Sequence, residues 1–274
     1  MAASASVLQR LSFGSDEPWS SLLHAQAYYW TFQRAVENWS WTGTQREMVL
    51  RQFPELSDRS RLVLPMIDTE AFNPDGGEQV EPCFLFTTTT STRSEVGAKG
   101  LDPLLRVLPE LPEAAKLRLV LHNNVELPDD RQAWNGRVEI LTRVPKAQMI
   151  PLYRRSLANC RISRADSSPV SLLESMACGV PVVVSPVIAR NIPMIVDGEN
   201  GFVVNPDDAP LIADRLRTLL CDGDLRRRMG SEARRAVLRC GLASNLQLIT
   251  RYFKSDSYGT ISDSRRNASE LLRA

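Results

Sequence analysis

Histidine is almost missing from this chain. Of 274 residues only His24 and His122 are histidines. Neither has an acid or nucleophile partner within reach by sequence, so no catalytic triad or dyad is arguable. Cysteine is scarce as well. The five residues are an odd number without metal-ligand spacing. Cys83, Cys160 and Cys178 sit in apolar contexts that suit buried free thiols, which favours a reducing cytoplasmic location over a disulfide framework. No apolar run approaches the roughly 20 residues that cross a membrane. The first residues, Met-Ala-Ala-Ser-Ala-Ser-Val, lack a basic region followed by an apolar core, so no signal peptide is expected. Charge of one sign is missing too: 33 Lys and Arg face 32 Asp and Glu, a net charge of +1. Nothing in that balance suggests a nucleic-acid partner.

What is present is an ordinary globular composition, 43% hydrophobic, in a length suited to one large domain or two small ones. The most informative stretch runs from Arg164 to Phe202. Ser168 is a good helix N-cap, and Pro169 fits the first helical position, where its missing N–H costs nothing. Gly179 suits the left-handed residue that ends a helix. Pro181 to Val184 reads as a strand buried on both faces. Ser171, Glu174 and Cys178 are spaced to share one helix face, while Leu172, Leu173 and Met176 face a core. A helix N-terminus with free N–H groups is an anion site. A carboxylate one turn further in, Glu174, can accept hydrogen bonds from neighbouring hydroxyls such as those of a ribose.

These residues carry a resemblance. Asp166, then Glu174-Ser-Met-Ala-Cys-Gly179-Val-Pro-Val-Val-Val, then Asp197-Gly-Glu-Asn-Gly201, is similar to the donor-binding signature of GT-B glycosyltransferases of family 4. The first acid of that pattern is usually Glu, and here it is Asp166. Pro65-Met-Ile-Asp68-Thr-Glu-Ala-Phe72-Asn-Pro74 resembles the family's interdomain connection, with Met66-Ile67 in place of Asn-Gly. In the family an Arg and a Lys after the first donor-domain strand grip the diphosphate. Arg93 and Lys99 occupy those places. Taken alone they read as solvated loop cations; beside the signature the diphosphate role is favoured. The segment Arg143-Val144-Pro145 is similar to the one whose backbone pairs with the nucleotide base.

The rest of the chain is read from pattern. A helix is expected over Ser20–Glu37, packed through Tyr29 and Phe32. Thr44 and Glu47 make a capping box for a helix ending near Phe53. Strands are expected at Leu62–Leu64, Cys83–Thr89, Leu117–Leu121 and Val138–Leu141, with a polar loop over Thr87–Gly100. His122 is either a polar residue at the sheet edge or a donor contact, the first being preferred. Helices are expected over Lys146–Ser156, Asp207–Leu220, Arg226–Arg239 and Asn245–Phe253. The fold class is α/β: a Rossmann-like doubly wound parallel sheet, the C-terminal half of a GT-B fold, with an N-terminal helical extension. Three parts are expected: 1–64, a mostly helical remnant of an N-terminal domain; 65–245, the donor-binding domain; and 246–274, a C-terminal helix and polar tail. The first part is too short for a full doubly wound domain.

The resemblance implies transfer of a hexose from a nucleoside-diphosphate sugar to an acceptor hydroxyl with retention. Arg93, Lys99 and Asp166 are the expected catalytic group, the cations offsetting charge on the diphosphate and Asp166 meeting sugar hydroxyls. Ser168, Val170, Ser171 and Leu172 would hold the anion at the helix start, Glu174 the ribose, and Val144 the base. No metal or cofactor is implied, because Arg and Lys stand in for Mg²⁺. The acceptor is a carbohydrate, a lipid or another hydroxyl compound. Peripheral membrane association and a partner chain are both compatible with this reading. The alternative is a non-catalytic nucleotide-sugar-binding module or truncated gene product.

Overall fold

A computed structural model of the chain describes residues 38–239, apart from positions 64, 90, 91, 124, 126–133, 135, 167 and 168. The helices expected over Ser20–Glu37 and Asn245–Phe253, and the cap at Ser168, lie outside the described residues.

Six strands form one parallel sheet: β3 (Cys83–Thr88), β4 (Lys116–Leu121), β5 (Val138–Thr142), β6 (Ala158–Arg161), β7 (Val182–Val184) and β8 (Gly201–Val203). Their order is β5-β4-β3-β6-β7-β8. The chain therefore builds outward from β3 in one direction, then crosses back to β6 and builds the other way. That reversal between β3 and β6 is the switch point at which such sheets open a crevice beyond their carboxyl ends.

Helices cover both faces, and the strands' alternation assigns each side chain to one of them. Phe84 and Phe86 of β3, with Leu117, Leu119 and Leu121 of β4, pack against α3 (Leu101–Val107) and α7 (Ala209–Cys221). Leu85, Val120, Val182 and Val184 face the other way, onto α4 (Lys146–Arg155), α5 (Val170–Ala177), α6 (Pro186–Asn191) and α8 (Gly223–Leu238). β5 is an edge strand, and its Glu139 and Ile140 are exposed. The thiols of Cys83, Cys160 and Cys178 are free and buried, as their apolar contexts suggested. Burial pushes Cys83 up to about 11 and Cys178 up to about 12.

The connection from Pro65 to Glu78 is riveted to the back of the sheet's helices. Arg234 of α8 donates to the carbonyls of Thr69, Phe72 and Ala177 at 2.7–2.9 Å. Arg154 of α4 donates to the carbonyl and side chain of Asn73, each at 2.7 Å. Phe72 is buried against the ring of Tyr153, their centroids 6.2 Å apart.

Before this connection the described chain is not purely helical. β1 (Asn38–Ser40) pairs in parallel with β2 (Ser60–Leu62), and α1 (Gly43–Gln52) and a 3-10 turn (Pro54–Arg59) lie between them. The cap of α1 is Thr42, whose hydroxyl accepts from the Gln45 N–H at 3.1 Å; Thr44 already lies inside the helix. Thr42-x-x-Gln45 and Thr44-x-x-Glu47 offer the same pattern, and the earlier one starts the helix. The loop expected over Thr87–Gly100 contains α2 (Arg93–Ala98), started by a complete Thr92/Glu95 capping box.

Candidate functional site

The site is built where β3 and β6 end. Three local features bring its groups together. α2 and α3 meet at Lys99-Gly100, and Gly100 has φ of +100°. A Cβ on Gly100 would stand 2.4 Å from the Ile162 carbonyl carbon, so only glycine lets this turn approach the chain after β6 so closely. The Arg164 N–H donates to the Ala98 carbonyl at 3.1 Å, closing the same contact. Lys99 is thereby carried onto the loop that holds Asp166. α5 starts after Pro169, which has an extended backbone and is the N-cap itself rather than the first helical residue. Gly179, at φ of +74°, ends the unit in the left-handed conformation expected of it.

Asp166 is the hub. Its carboxylate accepts from Lys99 Nζ at 2.8 Å and from Arg161 Nε at 2.8 Å. Its side chain is 5% exposed and that of Arg161 is 8% exposed. Burial alone would raise the Asp166 carboxyl; the charge of Arg161 and the hydrogen bond and charge of Lys99 outweigh it and hold it below its ordinary value. Arg161 also donates to the Thr87 carbonyl and lies over the Phe86 ring, 5.6 Å from its centroid. Thr87 in turn donates from its hydroxyl to Ser171 Oγ at 2.7 Å, joining β3 to the start of α5.

Glu174 anchors the other end. Tyr153 donates to it at 2.9 Å, and Lys146 Nζ stands 3.7 Å away. Burial pushes the Glu174 carboxyl up, and the Tyr153 and Lys146 contacts only partly offset this. Burial and the adjacent Glu174 also push the Tyr153 hydroxyl up, so it remains a neutral donor.

Between these two carboxylates lies an open cavity of about 590 Å³. Its walls include Thr87, Lys99, His122, Arg143, Val144, Lys146, Met149, Arg161, Asp166, Val170, Ser171 and Glu174. Four cationic side chains thus face two carboxylates, a surplus of two positive charges. Arg143 is the non-glycine residue with positive φ, 53°, among the described residues, and it turns the chain from β5 into α4 at the cavity wall. Sheet-edge His122 also lines the cavity.

The sequence-derived residues are therefore not all together. Lys99, Asp166, Glu174, Val144, Val170 and Ser171 line one cavity. Arg93 does not: it opens α2 and is ion-paired with Asp102, so its charge is neutralised locally. Leu172 is not among the lining residues: its side chain is buried in the core, and its N–H is bonded to the Pro169 carbonyl at 3.1 Å. Cys178 does not share the open face with Glu174 but packs in the core. Arg161, Tyr153 and Lys146 enter the site without having been singled out, and Arg143 joins Val144 from the segment expected at the base. The signal for Arg161 was present: a charged residue at the carboxyl end of a strand that otherwise reads as buried, five positions before Asp166. Among the described residues no group of three or more His, Cys, Asp or Glu is placed to hold a metal ion. Nor is any helix among them long and apolar enough to cross a membrane.

Comparisons with known proteins bear on the family and the fold. The family model "Glycosyl transferases group 1" matches residues 93–236. The D-inositol 3-phosphate glycosyltransferase of Xylanimonas cellulosilytica is 26% identical over 224 residues, covering 73% of this chain and 52% of that protein. The sulfoquinovosyl transferase of Arabidopsis thaliana is 26% identical over 185 residues, covering 61% of this chain and 34% of that protein. The chain spans about a third to a half of the length of these curated relatives. In fold it is similar to Anabaena HepE in complex with UDP, with a TM-score of 0.70 at 17% identity over 86% of this chain and 68% of that one. It is likewise similar to sucrose-phosphate synthase from Thermosynechococcus elongatus, with a TM-score of 0.68 at 21% identity over 92% of this chain and 66% of that one.

Proposed function

The chain belongs to the glycosyl transferases group 1 family, and from that premise we propose that its cavity binds a nucleoside-diphosphate sugar and serves transfer of the hexose to an acceptor hydroxyl with retention. The observation that carries this reading is the cavity's charge plan. A surplus of two positive charges lines a cavity with Asp166 at one end and the buried carboxylate of Glu174 at the other. A sugar diphosphate diester carries about two negative charges, so the bound complex is close to neutral.

In this reading Lys99 and Arg161 hold the diphosphate, and Arg161 takes the place first given to Arg93. Both cations retain donors. An ammonium has three protons, and Lys99 uses them on Asp166 at 2.8 Å and at most weakly on the Ala165 carbonyl at 3.5 Å. The guanidinium of Arg161 has five N–H groups, of which Asp166 and the Thr87 carbonyl take part. Val170 and Ser171 add the helix start. As the anomeric C–O bond breaks, charge grows on the diphosphate, and these fixed donors stabilise it without reorganising. Asp166, with its carboxylate fixed, meets sugar hydroxyls. Glu174 accepts from the ribose, and Val144 and Arg143 line the base end. The chemistry is completed by Lys and Arg without a metal ion.

A second reading is favoured by a separate observation: every residue lining the cavity falls between Thr87 and Glu174, in the strands, helices and connections of one α/β unit. Such a lining, drawn from one unit, is what a nucleotide-sugar-binding module would have. Incubation with a panel of nucleotide sugars and hydroxyl acceptors separates the two. Product with the donor's own anomeric configuration supports transfer; tight donor binding without product supports the module; inverted product refutes retention.

A further inference from the structure

Asn191 ends α6 and is 3% exposed. Its amide is used at both ends. Nδ2 donates to the Asp166 carbonyl at 2.8 Å, and Oδ1 accepts from the Thr44 N–H at 3.3 Å. Thr44 is the second residue of α1, 147 positions away in the N-terminal β1-α1-β2 unit. A first-turn N–H has no partner within its own helix, and a neighbouring side chain is one way to satisfy it. The same junction is closed by contact: a Cβ on Gly43 would stand 2.4 Å from the Arg190 carbonyl oxygen. The N-terminal unit is therefore seated directly on the end of α6. One side chain joins that seat to the backbone of the residue whose carboxylate is held by Lys99 and Arg161.

We propose that Asn191 is a positioning residue that couples the seating of the N-terminal unit to Asp166. The inference rests on the reading of the cavity as a nucleotide-sugar site, with Asp166 at the sugar. When α1 is seated, the Asn191 amide is fixed by Thr44 and its Nδ2 holds the Asp166 backbone in place. When α1 lifts, the amide loses one of its two anchors, and the sugar end of the cavity loosens while the nucleotide end does not.

Two substitutions separate the links. Asn191→Ala removes both hydrogen bonds. Thr44→Pro removes the N–H that reaches Asn191, at a first-turn position where a helix does not need it, together with a buried hydroxyl that makes no hydrogen bond. The measurement is calorimetric titration of the full chain with matched ligands: UDP-glucose and UDP, GDP-mannose and GDP, ADP-glucose and ADP. For the pair that the unaltered protein binds, Asn191→Ala is expected to weaken the nucleotide sugar about fivefold, as for one lost neutral hydrogen bond, and to leave the nucleoside diphosphate within about twofold. Thr44→Pro is expected to shift the sugar ligand in the same direction by a smaller factor. The double variant is expected to bind no more weakly than Asn191→Ala alone. If Asn191→Ala does not fold, Thr44→Pro carries the test by itself, since it leaves the buried amide in place. Equal loss for both ligands, or factors that multiply in the double variant, would reduce Asn191 to a structural residue and overturn the coupling. Failure of every pair to bind the unaltered protein would overturn the cavity reading and this inference with it.

Discussion

Replacing Arg161 with leucine removes one of the two cations on a buried carboxylate while keeping an apolar side chain in the strand. Orphaning a buried charge completely costs about 3–5 kcal/mol. Asp166 keeps Lys99, 2.8 Å away, so the expected loss of stability at pH 7 is smaller, about 2 kcal/mol. The pH dependence follows from sign. The Asp166 carboxyl is held below its ordinary value in the folded protein. A depressed carboxyl contributes stability that is present above its unfolded pKa and is lost as pH falls through the folded pKa. Removing Arg161 raises the folded pKa towards the unfolded value, so the variant has less of this stability to lose, and the two stability curves draw together as pH falls through the carboxylate range. Urea unfolding at steps between pH 7 and pH 3 reads both effects. A loss below about 0.5 kcal/mol at pH 7, or parallel stability curves down to pH 3, would refute the claim that Arg161 and Lys99 together hold this charge.

Three further outcomes follow from the same geometry. Glu174→Gln keeps an acceptor for Tyr153 but removes the charge, so affinity for a ribonucleoside diphosphate should fall several-fold while the 2′-deoxy analogue changes little; equal losses would make Glu174 a structural residue. Because burial raises the Glu174 carboxyl, ribonucleotide affinity should decline as pH falls through a value above the usual carboxylate range, and Glu174→Gln should flatten that profile in calorimetry. Gly100→Ala must place a Cβ 2.4 Å from the Ile162 backbone at φ of +100°, so it should cost about 3 kcal/mol and lower the melting temperature by roughly 10 °C; a shift under 2 °C in calorimetric scans would contradict the close approach that carries Lys99 to Asp166.

Much of the sheet was legible because its signals are local. Leu172, Leu173 and Met176 keep helical spacing, and each is buried. Gly179 ends its helix at positive φ because a left-handed residue was needed there. What could not be read depends on meetings between elements. Arg93 and Lys99 look alike as loop cations, yet one turns to Asp102, nine positions on, and the other to Asp166, across the sheet. Arg161 stands out as a charge ending a buried strand, but its partner Asp166, like the Glu174 partner of Tyr153, is settled only by how the elements meet. β1 and β2 have three residues each, too short to show an alternation. The α1 cap was misplaced by two residues because two Thr-led patterns overlap, and local pattern does not say which one the helix uses.

The central claim is that Lys99, Arg161 and Asp166 form the phosphate and sugar end of a nucleotide-sugar cavity closed by Glu174. Isothermal titration of the unaltered chain and of Lys99→Ala with UDP, GDP and ADP tests it most directly. Binding of at least one of the three, weakened about tenfold to a hundredfold by Lys99→Ala as for a charge-assisted contact, is the predicted result. Absence of binding by all three to the unaltered protein, or affinity untouched by loss of the Lys99 ammonium, would contradict it.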